Sequence, residues 1–455
     1  MVISMDADMI STNICPLEWR YGSKEIREIF SLRNIVKTYI KVEAALMAGL
    51  VEAGLAPRGC VEVLEKCSED IEVKEVYELE RVLGHDIASL TYLLGERCGS
   101  CGGYVHLGAT SYDIVDTTWA LLLREGLGVV KRKLRGVLED LADLSIRYRE
   151  ALLPRRTHGQ HALPITLGFK LANYVYELSR SYERICSLEA RLIRSKISGA
   201  VGTMAAWSDK GLEVERKASE VLGLEPHVIT TQVAPRDGFA ELVSVLAILA
   251  SQLDRLALEV RELSRTEISE IYEAGERIGS STMPQKRNPV ISERISGLAK
   301  IMRGMVMTAL ENIALMHERD LTNSSSERIL IPHSLVTIDQ MLEDTQRLLK
   351  TIYIDVGKMS ENLKLTRGAI MAEAVMIKLV EKGLPRHRAH KKLAELTRSM
   401  GNRSLEEVLE MDEEVSKILS REEIKAALDP KRYLGSYREL IDRAIEYMEW
   451  VLKKC

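Results

Sequence analysis

Side chains able to do chemistry crowd into the segment 279–289, where Ser280 and Ser281 bring hydroxyls, Lys286 a full positive charge and Asn288 an amide. Gly279, Pro284 and Pro289 punctuate it. A serine that works alone as a base has a very unfavourable pKa, so it needs dense positive potential and a closed, dry site. Gly279 can hinge such closure. Each proline removes a backbone donor and pushes the preceding residue out of helical geometry, so Met283 and Asn288 are expected to be extended or turn-like. Asn288 and Pro289 read as the N-cap and first turn of a new helix, whose N–H groups would face back over the segment and favour an anion. Composition alone also fits a plain connector that caps a helix.

Holding such a segment requires a large rigid body, and 455 residues leave room for two or three domains. Charged residues make up 29% at a net charge of −4, so no global basic field points to nucleic acid or an anionic membrane. No apolar run reaches the roughly 18 residues that span a bilayer, and Met1 to Pro16 lacks a signal-peptide pattern, so a cytoplasmic location is expected. Seven scattered cysteines do not make a secreted scaffold, and most are expected to be free thiols. Cys98 and Cys101 form a lone C-x-x-C without a second pair. A structural disulfide stays open, because abundant Glu, Lys and Arg with few Asn and Gln is a hyperthermophile bias.

The positioning elements read as helices. Apolar residues from Ile26 to Leu50 recur near helical spacing across 24–54, and short helices continue to Cys98. A glycine-rich break at 99–103 precedes a very long helical run from about Asp113. In 236–263, Leu242, Leu246, Leu249, Leu253, Leu256, Val260 and Leu263 alternate spacings of four and three, a seam for near-parallel partner helices. Strand patterns are scarce. The expected architecture is all-α with three helical domains, 1–109, 110–356 and 357–455, the middle one a long-helix bundle.

Three blocks carry a resemblance: segment 279–289, the run 156–160 around His158, and the run 108–113 with Thr110 and Ser111. In their chain order, 108–113, 156–160 and 279–289, they resemble the fumarase/aspartase superfamily, whose members cleave C–N or C–O bonds and release fumarate. Within it the sequence resembles the adenylosuccinate lyase family over nearly its whole length. That likeness rests on Arg20-Tyr21, on Gly84-His85-Asp86, on His106 with Thr110-Ser111, on Gln232, and on the run from Arg319 through Ser324 to Arg328. Asn323 stands where some relatives have histidine. His85, His106 and Arg20-Tyr21 argue against other lyases of the superfamily, such as argininosuccinate lyase, aspartase, fumarase or a carboxymuconate cycloisomerase.

The resemblance implies elimination of fumarate from adenylosuccinate and SAICAR. Three jobs follow: removing a weakly acidic C–H proton, stabilising an aci-carboxylate, and protonating the departing nitrogen. It implies Ser280 as base and His158 as acid, a task suited to imidazole with its ordinary pKa of about 6.5. His85 would assist the acid, Glu293 would pair with a histidine, and Lys286 with Asn288 would bind the carboxylate. Arg20, Tyr21, Arg319, Ser324 and Arg328 suit a phosphate, and Gly84, Asp86, His106, Thr110, Ser111, Gln232 and Arg294 the remaining polar groups. No motif calls for a cofactor or a metal. The resemblance further implies a homotetramer with active sites shared among three chains, so that a monomer would be inactive.

Overall fold

The computed structural model of the protein describes residues 14–274, 283 and 285–455. Its chain is predominantly helical, and the described residues divide into two compact units. One takes the chain up to Leu134 with Ser181–Ser251 and Gly297–Glu343; the other takes Arg135–Arg180, Gln252–Ser296 and Asp344–Cys455. Every boundary between them falls inside a long helix.

After a single turn of helix at Pro16–Trp19, the first unit continues with α1 (Lys24–Ile29) and α2 (Leu32–Glu52). Periodicity alone reads this stretch as one helix. Ser31 divides it, because its backbone is extended and its hydroxyl accepts from the Asn34 N–H at 3.2 Å, capping α2. A core from Val36 through Leu94 to Leu224 joins α2 to α3 (Cys60–Cys67), α4 (Asp86–Arg97) and later α7 (Gly211–Leu222). Two disulfides cross it, Cys60–Cys101 and Cys67–Cys98, each with Cα atoms 5.4 Å apart. The expectation of mostly free thiols therefore fails, and both cysteines of the C-x-x-C bond to α3 rather than to each other. Close backbone approach makes this possible: a Cβ on Gly102 would lie 1.9 Å from the Gly95 carbonyl oxygen.

Five long helices form the middle of the chain: α5 (Ser111–Arg147), α6 (Leu167–Leu192), α8 (Asp237–Leu263), α9 (Val290–Glu311) and α10 (Thr322–Thr351). All seven seam residues of α8 are at most 3% exposed. Burying each such side chain stabilises by about 1.5–3 kcal/mol, so the seam is what selects helix over any local alternative. The second unit contains the short helices after Val356, with their own core around Val375, Leu379, Leu405 and Ile424. Its small strands β1 (Leu152–Thr157) and β2 (Gln160–Thr166) form an antiparallel hairpin, and β3 (Ile271–Glu273) pairs with β4 (Ile352–Ile354). Among the described residues no helix is long and apolar enough to cross a membrane.

Candidate active site

In the second unit the hairpin presents His158. Thr157 pairs with Gln160, leaving His158 and Gly159 as a two-residue turn with φ of 52° and 75°. Positive φ at both central residues is what a type I′ turn demands. Glycine takes this conformation freely, whereas a histidine held there costs about 1–3 kcal/mol and persists only where the surroundings enforce it. Enforcement comes from Arg156, two residues before the tip. Its guanidinium donates to both oxygens of Glu270, at 3.0 and 2.6 Å, and the Glu270 side chain is fully buried. Asn362 adds a donor at 2.8 Å to the same carboxylate and another at 2.7 Å to the Ile268 carbonyl. His161, opposite Arg156 in the hairpin, has its pKa lowered by burial and by that guanidinium, which keeps it neutral.

Glu270 immediately precedes β3; of the segment 279–289 that follows in sequence, residues 279–282 and 284, Ser280 among them, lie outside the described residues. Within the segment Lys286 is exposed, its backbone N–H donating to the Met283 carbonyl at 3.1 Å, and Asn288 is half-buried. Helix α9 begins at Val290, one residue later than Pro289. The Glu273 carboxylate takes the N–H groups of Ile291 and Ser292, at 3.0 and 2.8 Å, and the Ser292 hydroxyl at 2.9 Å. An internal carboxylate thus occupies donors that the sequence reading reserved for an external anion. Glu293 lies exposed in the first turn of α9, and Arg294 forms a two-pronged pair with Asp344.

The first unit gathers most of the remaining residues. Gly84 takes φ of 69° and ends one helix, and His85 caps the next, its Nδ1 accepting from the Ala88 N–H at 3.3 Å. A neutral His85 consequently carries its proton on Nε2. Asp86 accepts from Arg328 at 2.7 Å. Both line a cavity of about 720 Å³ with Tyr39, Tyr77 and His333, and Leu17 and Glu18, just before Arg20 and Tyr21, complete one wall. Arg319 donates to Gln232 at 3.1 Å and lies 3.7 Å over the ring of Tyr112, whose hydroxyl bonds Ser324. The Arg20 guanidinium sits near the rings of Trp19 and Tyr21.

Three buried clusters of paired charges support these residues, and local sequence did not pair their members. His106, at φ of 60°, places Nδ1 2.6 Å from the buried Glu43 carboxylate. Burial alone would lower the imidazole pKa, yet the charge and hydrogen bond of Glu43 reverse this and the net shift is upward. Asp113 accepts from the Thr110 N–H at 2.7 Å and from Lys196 at 2.6 Å, with both charged side chains fully buried, which fixes the turn carrying Thr110 and Ser111. Arg236 bridges Asp116 and Glu327 at 2.5 and 3.0 Å, joining the Gln232 loop to α10. Such pairs add little net stability, but removing one partner strands the other charge.

Comparison with known proteins gives the family. A family profile described as lyase matches residues 20–304, and one described as adenylosuccinate lyase C-terminus matches residues 368–444. The chain is 42% identical over 440 residues to an adenylosuccinate lyase of Pyrococcus horikoshii, covering 95% of this chain and 98% of that protein. It is 43% identical over 441 residues to an adenylosuccinate lyase of Methanothermobacter thermautotrophicus, at the same coverage of 95% and 98%. Among solved structures, a 3-carboxy-cis,cis-muconate lactonizing enzyme from Pseudomonas putida superposes with a TM-score of 0.88 at 32% identity, over 96% of this chain and 99% of that one. On these matches the chain belongs to the adenylosuccinate lyase family of the fumarase/aspartase superfamily.

Proposed function

We propose that the protein eliminates fumarate from adenylosuccinate, leaving AMP, and from SAICAR, leaving AICAR, in purine nucleotide biosynthesis. The observation that carries this reading is His158 on an enforced, exposed turn within one of the three superfamily blocks. Ser280 takes the proton from the carbon beside the succinyl carboxylate, and negative charge spreads onto that carboxylate, which Lys286 and Asn288 bind. The C–N bond then breaks, the carbon–carbon double bond of fumarate forms, and His158 delivers a proton to the departing nitrogen. His85, with its proton on Nε2 when neutral, assists that acid, and Glu293 holds a histidine in its working protonation state. Arg20, Tyr21, Arg319, Ser324 and Arg328 bind the ribose phosphate; Gly84, Asp86, His106, Thr110, Ser111, Gln232 and Arg294 hold the rest of the substrate.

The working form is a homotetramer in the cytoplasm, with each site assembled from three chains. Exposed apolar side chains on long helices, Ile248 and Leu258 on α8 and Ile301, Met307 and Leu310 on α9, support an assembly that covers them. Mixing the protein with adenylosuccinate and identifying the products tests the substrate. Fumarate with AMP is the expected outcome; release of fumarate from argininosuccinate or aspartate instead would overturn it.

A further inference from the structure

Glu43 is out of place by its surroundings. It lies mid-helix in α2 on the stripe formed by Tyr39, Leu46, Met47 and Leu50, every one of them buried, and its own side chain has no exposed surface. A lone carboxylate there would carry a large desolvation cost. One oxygen lies 2.6 Å from His106 Nδ1, and the other, Oε2, has no hydrogen-bond partner. His106 is itself held in the left-handed region, four residues before the fixed Thr110. A buried charge and a strained backbone therefore meet at one imidazole.

We propose that Glu43 is a positioning residue for the lyase site: it engages His106 Nδ1 so that only Nε2 remains for a ligand, and holds the ring as a fixed imidazolium donor for an anionic group of the substrate. This rests on the proposed function, in which His106 contacts substrate. Two carboxylates act on the ring, Glu43 from α2 and Asp113 from α5. Asp113 is already matched by Lys196, which leaves Glu43 as the group that favours the charged ring. In the neutral form a ring donating through Nδ1 would offer Nε2 as an acceptor, which repels an anion; the protonated form donates from both nitrogens.

The test is steady-state fumarate release from adenylosuccinate across the neutral and alkaline range by wild type, Glu43→Gln, His106→Gln and the double variant. Glutamine keeps an acceptor for Nδ1–H but removes the charge. The expected result is a KM about tenfold higher with a smaller change in kcat. The alkaline limb of kcat/KM should move to lower pH, and Glu43→Gln should have no further effect in the His106→Gln background. A folded Glu43→Gln with unchanged KM and pH profile, or one whose effect persists undiminished in that background, overturns the proposal. If Glu43→Gln does not fold, Glu43→Asp decides: a wild-type-like pH profile with raised KM supports the assignment, and failure of both to fold makes Glu43 a core residue and overturns it. Should wild type release no fumarate from adenylosuccinate, the substrate reading fails separately. The inference is then judged by NMR titration of the His106 imidazole, whose pKa must fall in Glu43→Gln.

Discussion

Replacing Arg156 with methionine tests whether the His158 turn is enforced by the ion pair beneath it. The substitution keeps most of the side-chain volume but leaves Glu270, fully buried, with Asn362 as its remaining side-chain donor. Removing one partner of a buried pair costs about 3–5 kcal/mol, because the other charge is stranded. For a cooperative body of 150–250 residues that is a fall in melting temperature on the order of 10 °C. Turnover should fall further than stability suggests, since displacing a reacting group by about 1 Å costs on the order of a hundredfold. Calorimetry of Arg156→Met should show the lower midpoint, and fumarate release at a temperature where the variant is folded should show reduced kcat with KM little changed. Adding Glu270→Leu should recover most of the midpoint, because the stranded charge is gone. A midpoint within about 3 °C of wild type, or an unchanged kcat, would refute the clamp.

Removing these two disulfides by Cys60→Ser with Cys67→Ser should lower the denaturant midpoint of the first unit. The outer bridge closes a separation of 41 residues, for which chain entropy gives on the order of 4 kcal/mol; the nested inner bridge adds less. Circular dichroism of this variant beside wild type, both without reductant, reads the difference, and coincident curves would contradict it. Burial, with Asp113 nearby, raises the Glu215 carboxyl from 4.5 to about 7. The unfolded chain releases this proton first, so the contribution of Glu215 is present below 4.5 and lost as pH rises through about 7. Glu215→Gln should therefore raise the melting temperature relative to wild type above pH 7 and leave it nearly unchanged below 4.5; equal shifts at both would contradict this assignment.

Periodicity was enough to read the long helices, because burial of a seam such as Leu242 to Leu263 is a repeating pattern within one element. It missed the break at Ser31, where a hydroxyl cap interrupts an apolar stripe that otherwise continues. The hairpin around His158 was also hidden. Its strands are short, and the only local signal was a glycine directly after the histidine, the composition of a tight turn. The partners Glu43, Glu270, Glu273 and Lys196 contact residues 18 to 114 positions away, so spacing could not pair them. Glu43 alone left a trace, a charged residue on the buried stripe between Tyr39 and Leu50. Cys60 and Cys67 were overlooked as partners for a similar reason, since the C-x-x-C drew attention to the wrong pairing.

The most direct test of the account is to mix two inactive variants. His158→Ala and Ser280→Ala should each abolish release of fumarate from adenylosuccinate when purified alone. Refolded together, they should regain about a quarter of wild-type activity, because in a random tetramer one site in four draws an intact His158 and an intact Ser280 from different chains. Substantial activity in either variant alone would remove that residue from the mechanism, and a mixture as inactive as its components would contradict sites shared between chains.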